Sequence, residues 1–271
     1  MNKEEAMKER FDITKPLQAF DFQGEVAIIT GGARGMGLAI AQTLAELGAI
    51  IVIADQDAKA VTAVAEDIAG EVLAVECDVT DEKSVEELVG LASKKYGAID
   101  MLVNNAGTAI RDSAVNLSLS DWQAVIDVNM TAVFSVARMV VRDHLDRPDA
   151  SNVLRIVNMA SMMGLSGGGI YPNLSYQASK GAVINMTRAM AVEWGGMRVR
   201  VNALAPTWVR TEFIAPLLSD SAIVQQMEES MPIGRLADVE DVAGAAIFLL
   251  SPAAAMITGH TLPVDGGYLA Q

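Results

Sequence analysis

Residues 25–49 read EVAIITGGARGMGLAIAQTLAELGA, and the order of features in that stretch decides the fold. Residues 25–30 are a short apolar run with the pattern of a buried strand. Gly31, Gly35 and Gly37 follow within seven residues, and apolar positions then recur at helical spacing. A strand, a glycine-rich turn and a helix together frame a phosphate site. The glycines let the backbone turn tightly and approach a ligand, and the helix N-terminus offers free N–H groups to a pyrophosphate. The spacing is G-x-x-x-G-x-G rather than the commoner G-x-G-x-x-G.

The same frame repeats downstream. Residues 49–54 read as a second strand ending in Asp55, roughly 20 residues past the glycines, where a carboxylate can accept hydrogen bonds from both ribose hydroxyls of an adenosine. Asp57 is the alternative residue for capping the helix that follows over 58–69. A third strand over 71–77 leads into Asp78-Val79, a helix runs to 96, and a fourth strand over 99–103 leads into Asn104-Asn105-Ala106-Gly107. Small and amide residues at a strand's carboxyl end suit close contact with a ligand in the crevice of the sheet. Strands alternating with helices predict an α/β fold with a doubly wound parallel sheet.

Farther on, the S-x-x-Q pattern at Ser120 predicts a capping box that opens a helix to about residue 145. Asn129 lies inside that helix. Asparagine is a poor helix former, so there it either bonds the backbone locally or positions something. Residues 153–159 read as a buried strand leading to Ser161, residues 174–194 as a helix, and 198–204 as a sixth strand. Residues 212–231 are amphipathic and end at Pro232. The segment 207–232 reads as a mobile lid over the substrate, poorly ordered without ligand. A helix to residue 250, capped by Asp238, and a short strand over 261–264 complete the chain. Residues 1–23 look like a mobile polar lead-in, and 24–271 form one domain.

Residues 161–180 place a hydroxyl, a phenol and an ammonium in one short stretch: Ser161, Tyr176 and Lys180. Tyr176 and Lys180 share one helix face if residue 174 onward is helical. An ammonium beside a phenol favours the phenolate and lowers its pKa from roughly 10, which makes Tyr176 a proton carrier near neutral pH. The Ser161 hydroxyl is placed to hold a substrate oxygen beside it. Gly164, Gly167, Gly168, Gly169 and Pro172 supply a flexible pocket wall between them.

Composition narrows the function. The chain has 271 residues, 51% of them hydrophobic, enough for a substantial core. Its net charge of −14 argues against nucleic-acid binding. Cys77 is the sole cysteine, and His144 and His260 lie in no metal-ligand spacing, so neither an internal disulfide nor a metal site is expected. The N-terminus is charged without an apolar core, and no apolar run approaches the roughly 18 residues of a membrane span. A soluble cytoplasmic protein is the expectation.

Taken together, these residues resemble the short-chain dehydrogenase/reductase family from about residue 24 to 268. The family's glycine motif matches residues 30–37, its adenine-contacting pair Asp78-Val79, and its N-N-A-G residues 104–107. The loop positions Pro206, Val209 and Thr211 also match, although Pro206 is followed by Thr207 where the family usually has glycine. The resemblance implies a single-domain Rossmann-type sheet of about seven strands with helices on both faces. It implies hydride transfer between a nicotinamide cofactor and an alcohol or ketone. Gly31, Arg34, Gly35, Met36, Gly37, Asp55, Asp78, Val79, Asn105, Ala106, Gly107, Tyr176, Lys180, Pro206, Val209 and Thr211 would bind the cofactor. Asn129, Ser161, Tyr176 and Lys180 would be catalytic. Asn129 would hold a water that links Lys180 to solvent.

The interval from Ser161 to Tyr176 is longer than in many relatives. With Met162 and Gly164, it resembles subgroups that oxidise polyols or reduce keto-sugars. Ser161, Met163, Tyr176, Thr207 and Trp208 are the expected substrate residues. A 3-oxoacyl-thioester reductase is the alternative, with Lys94, Lys95, Arg138, Arg142 and Arg147 as a docking patch for an acidic carrier. A nucleotide-binding sensor or structural subunit is the alternative outside enzymes. Asp55 favours NAD over NADP, because a 2′-phosphate would meet a like charge, and Arg34, which could serve that phosphate, is expected to be neutralised by Asp55. Apolar residues on helices 129–145 and 174–194 exceed what one sheet face needs, and the family commonly pairs these helices into homotetramers.

Overall fold

The structure is a computed structural model that describes residues 14–147 and 152–271. The expectation for residues 1–13 lies outside the described residues. The strands are β1 (Val26–Thr30), β2 (Ile50–Asp55), β3 (Val72–Glu76), β4 (Met101–Asn104), β5 (Leu154–Met159), β6 (Val199–Pro206) and β7 (Thr261–Val264). They form one parallel sheet in the order β3-β2-β1-β4-β5-β6-β7. The helices are α1 (Gly35–Glu46), α2 (Ala58–Asp67), α3 (Glu82–Tyr96), α4 (Leu119–Ile126), α5 (Ala132–Asp146), α6 (Leu174–Trp194), α7 (Ala215–Leu218), α8 (Ser221–Glu229) and α9 (Val239–Leu250).

The central strands are apolar without a break because both faces are covered. Side chains alternate between two cores. Ile29, Ile51 and Ile53 join Ile40 and Leu44 of α1 and Val242 of α9. Ile28, Val52 and Leu102 join Leu88 of α3 and Val136 and Val140 of α5 on the other face. Each fully buried isoleucine among them contributes on the order of 2 kcal/mol. The strand order reverses between β1 and β4, so a crevice opens beyond their carboxyl ends, where ligands bind in such sheets.

Several expectations need correction. Ser118, not Ser120, caps α4: its hydroxyl accepts the Asp121 N–H at 3.0 Å, while Gln123 bonds Asp127 instead. The helix that begins there is not continuous α-helix but carries a π-turn at Asp127–Thr131, centred on Asn129. The lead-in is not wholly mobile, since Pro16–Phe20 form a 3₁₀ turn and Phe22 is fully buried in the core. The helical run Leu119–Asp146 is long and apolar enough by composition to cross a membrane, with half of its most apolar window buried. It packs here as a core helix, with Val136 and Val140 in the layer beneath the sheet.

The segment read as a mobile lid is folded. Met227, Met231, Trp208, Ile214 and Leu217 gather with Met162 and Met163 into an apolar cluster of their own. Most of the apolar surplus on α5 and α6 is used inside the chain: Val133, Val136, Met139, Val140, Val183 and Met190 are buried, and Phe134 is 44% exposed.

Candidate active site

At the carboxyl ends of β1 and β4 the backbone comes too close for side chains. Gly31 has φ +60°, and a Cβ there would stand 2.8 Å from the Ala106 Cα. A Cβ on Gly37 would stand 2.5 Å from the Asn105 amide and from the Gly31 carbonyl oxygen. The Thr30 hydroxyl accepts from the Asn105 and Ala106 N–H groups at 3.1 and 3.2 Å. The Asn105 amide donates to the Thr30 and Gly31 carbonyls at 3.1 and 2.8 Å. The Asn105 side chain therefore holds the glycine turn itself.

Helices α2, α3, α4 and α8 are capped by Asp57, Asp81, Ser118 and Asp220, but no side chain caps α1. Its first N–H groups stay available to an anion, which fits the pyrophosphate of a dinucleotide. Met36 turns its side chain toward the α1–α9 core. Thr211 closes over the turn, with its methyl 3.3 Å from where a Gly35 Cβ would lie. Val209 is held by a bridge to Ala237, and Pro206 ends β6. Thr207 stands where the family usually has glycine. It needs no left-handed backbone, because Arg198 is the only described non-glycine residue with positive φ. The Thr207 hydroxyl lies against the Met231 sulfur at 3.0 Å.

Asp55 ends β2 at this crevice. Its carboxylate accepts the Ala33 and Asp57 N–H groups, both at 3.2 Å. Asp57 takes the cap of α2, as its carboxylate accepts the Ala60 N–H. That bond holds its pKa below the usual carboxylate range, with Arg34 adding to the effect. Arg34 does not pair with Asp55 as expected. It reaches Asp57 at 3.0 Å and Glu212 at 3.6 Å, because its extended backbone at the start of α1 carries the guanidinium outward. Asp78 folds back on Thr80, accepting from its N–H and hydroxyl at 2.9 and 2.7 Å, and Val79 packs against the lower core.

The chemical centre lies across the crevice. Ser161 follows β5, and its hydroxyl accepts the Met163 N–H at 3.1 Å. A Cβ on Gly164 would stand 2.6 Å from the Lys180 carbonyl carbon, so only glycine lets this turn sit against α6. Tyr176 and Lys180 share a face of α6 as expected, with the Lys180 Nζ 5.5 Å from the Tyr176 ring centroid. Lys180 does not point its ammonium at the phenol oxygen alone. Its Nζ donates to the Met159 carbonyl at 2.6 Å, and burial lowers its pKa to about 8. Burial pushes Tyr176 up to about 12, opposed by a hydrogen bond with Ser161 and by the charge of Arg111.

Asn129 is fully buried in the π-turn. Its amide donates to the Thr108 carbonyl at 2.9 Å and the Ser179 hydroxyl at 3.1 Å, and its oxygen accepts the Thr108 N–H at 2.8 Å. It thereby ties the loop after Gly107 to α6, beside Lys180. A π-turn at such a point is a common device of functional sites.

Four residues not singled out in the sequence, Tyr171, Tyr268, Phe213 and Arg111, gather around Trp208 and Tyr176. Trp208 donates its Nε1–H to the Tyr171 hydroxyl at 3.0 Å and meets Tyr268 edge-on at 5.7 Å. Phe213 lies 6.0 Å from the Tyr176 ring, and Arg111 lies over the Phe213 and Tyr171 rings. Arg111 follows the N-N-A-G run by four residues, a readable signal, whereas its contact with Phe213 spans 102 residues and has no local trace. Met163 and Trp208 are each 4% exposed and belong to the apolar cluster on which the 207–231 segment folds.

Known proteins share the fold and much of the sequence. A family model described as enoyl-(acyl carrier protein) reductase matches residues 31–269. D-threitol dehydrogenase of Mycolicibacterium smegmatis is 38% identical, over 92% of this chain and 95% of its own. A short-chain type dehydrogenase/reductase from Mycobacterium marinum superposes with a TM-score of 0.89 at 33% identity, covering 94% of this chain and 99% of that one. A gluconate 5-dehydrogenase from Burkholderia cenocepacia, solved with NADP and tartrate, gives a TM-score of 0.86 at 34% identity, covering 94% and 99%.

Proposed function

The chain belongs to the short-chain dehydrogenase/reductase family, and from that premise we propose that it is an NAD-preferring, cytoplasmic dehydrogenase of polyols or reductase of keto-sugars. It is an oxidoreductase of secondary alcohols and ketones. The observation that carries the reading is the meeting of Ser161, Tyr176 and Lys180 across the crevice from the uncapped N-terminus of α1. A nicotinamide cofactor, when bound, supplies the hydride acceptor or donor.

The protein's own residues do the rest. The glycine turn and α1 take the pyrophosphate, and Asp55 takes the adenosine ribose. Ser161 holds the substrate oxygen against the Tyr176 hydroxyl, which removes or returns the proton of the alcohol. Lys180 sets the charge around the phenol, and Asn129 fixes the loop and helix beside Lys180, with a water-holding role in a proton relay. The segment 207–232 covers the substrate. The carrier-docking alternative has less support. Lys95, Arg138 and Arg147 of its basic patch pair with Glu71, Glu82 and Asp143. Formation of reduced nicotinamide from a panel of polyols tests the proposal, and a panel with no turnover in either direction would sink it.

Three carboxylates, those of Asp55, Asp57 and Glu212, surround the ribose edge of the cofactor site, and the last two already occupy Arg34. A 2′-phosphate of about −2 charge would face that field. Wild-type enzyme should therefore show the higher kcat/KM with NAD. Asp55→Ser should raise the NADP-to-NAD ratio by about 10- to 100-fold, since charged hydrogen bonds are at stake. Most of that change should come from weakened NAD use, because Arg34 keeps its other partners. A wild type that prefers NADP would show that Arg34 sets the choice.

Assembly as a homotetramer belongs to the same proposal. Its support is the apolar surface left on α5 and α6, Phe134 at 44% and Val192 at 86% exposed. Light scattering at micromolar concentration should give four times the chain mass, and a monomer would defeat the idea.

A further inference from the structure

Arg111 lies on the loop after β4, and its guanidinium is held between two aromatic rings. The carbon at its centre is 5.5 Å from the Tyr171 centroid and 5.5 Å from the Phe213 centroid. Its Nη2 reaches the Phe213 carbonyl only at 3.4 Å, and its Nε is buried with no hydrogen-bond partner. Arg34, Arg138, Arg147, Arg155, Arg210 and Arg235 each pair with a carboxylate. Among the described residues no carboxylate pairs with Arg111, and the neighbouring Asp112 turns its oxygen to the Ser113 N–H instead. In a chain of net charge −14, a cation left unpaired next to the chemical centre needs an explanation.

The surroundings of Arg111 suit one kind of partner. A guanidinium presents five donors in a planar fork that matches a carboxylate with two parallel bonds. Tyr171 is fixed by the Trp208 hydrogen bond, and Trp208 is itself packed on Tyr268. The fork is therefore backed by a stack of rings. Phe213, which holds one face of the fork, lies 6.0 Å from the Tyr176 ring. The cation thus stands one ring away from Tyr176, the residue assigned to the reacting alcohol.

We propose that Arg111 is the binding site for a substrate carboxylate, and that the enzyme acts on acidic polyols, the aldonate class and its keto forms, in preference to neutral ones. The inference rests on the assignment of Ser161 and Tyr176 to the reacting oxygen. A carboxylate gives the guanidinium's accessible Nη donors the charged acceptor that no carboxylate of the described residues supplies. A neutral polyol offers only hydroxyl oxygens and leaves the charge unmatched. A purely structural Arg111, clamping its loop to Phe213, would serve both kinds of substrate equally.

The test compares D-gluconate with D-glucitol, which has the same chain length and no carboxylate. With the NAD-loaded wild type, kcat/KM for gluconate should exceed that for glucitol by at least about tenfold, the scale of a charged hydrogen bond. In Arg111→Gln that ratio should fall by about 10- to 100-fold, chiefly through KM, and Arg111→Lys should lie between. A wild-type ratio near one, or a ratio that the Gln variant leaves unchanged, overturns the proposal. Should Arg111→Gln not fold, the wild-type ratio and its fall in Arg111→Lys decide the matter. Failure to turn over either compound would count against the reaction assignment alone. Calorimetric titration of the NAD-loaded protein with the same two compounds then decides the inference. Gluconate binding at least about tenfold tighter, with that advantage lost in Arg111→Gln, supports it, and equal affinities overturn it.

Discussion

Replacing Tyr176 with phenylalanine lowers kcat by about 10²- to 10⁴-fold and leaves cofactor affinity close to that of the wild type. The ring is held by packing, 6.0 Å from Phe213 and against the cluster beneath the 207–231 segment, and phenylalanine keeps those contacts. What it loses is the hydroxyl beside Ser161. The residues proposed to hold the cofactor's pyrophosphate and ribose, 30–37 and Asp55, lie across the crevice. The loss should therefore appear in kcat and kcat/KM together, the mark of an interaction made in the transition state. Steady-state rates with a polyol substrate and a cofactor titration read the two parts separately. Near-normal turnover would remove Tyr176 from the mechanism.

Lys180→Met should be as damaging to turnover, with kcat/KM falling by about 10³-fold, the middle of the range for a positioned acid–base group. Its second signature is in stability. Lys180 is 4% exposed, and burial holds its folded-state pKa at about 8, against an ordinary 10.5. Between those values the unfolded chain binds the extra proton and the folded one does not. Wild-type stability therefore rises as pH goes from about 8 to about 10.5 and carries the full cost of the buried charge below pH 8. Methionine has no charge to bury. The variant should melt a few degrees above wild type at pH 7, and the gain should shrink as pH rises toward 10.5. The bond from Nζ to the Met159 carbonyl is lost as well and reduces the gain. A variant less stable than wild type at every pH would show that this bond outweighs the burial cost.

The frame of the molecule was legible in the sequence because its signals are local. The strand, glycines and helix of residues 25–49 fold as read. So does the alternation that follows, because buried parallel strands and amphipathic helices carry their periods in neighbouring residues. Tyr176 and Lys180 meet because four residues on a helix always share a face. Where contacts are distant, the reading failed or was silent. Nothing near Arg34 reveals that Glu212 comes to it, and nothing near Arg111 reveals Phe213. The depressed phenol pKa expected beside Lys180 is instead a raised one, because burial pushes Tyr176 up to about 12, and helix spacing fixes the face but not the direction of a flexible ammonium. Here that ammonium turned to a strand-end carbonyl. The cap of α4 moved to Ser118 because the acidic Asp121, rather than Gln123, sits three residues into its box. The π-turn at Asn129 has no period to betray it, although an asparagine inside an apolar helix was a hint.

This site is proposed to oxidise a polyol-type alcohol through Tyr176. The most direct measurement is the rise in reduced-nicotinamide absorbance when NAD and a panel of neutral and acidic polyols are added to wild-type enzyme and to Tyr176→Phe in parallel. A steady rise with at least one polyol is expected for the wild type, and a rate lower by about 10²-fold or more for the variant. Equal rates in the two proteins, or no rise with any polyol and no reverse reaction with any keto-sugar, would contradict it.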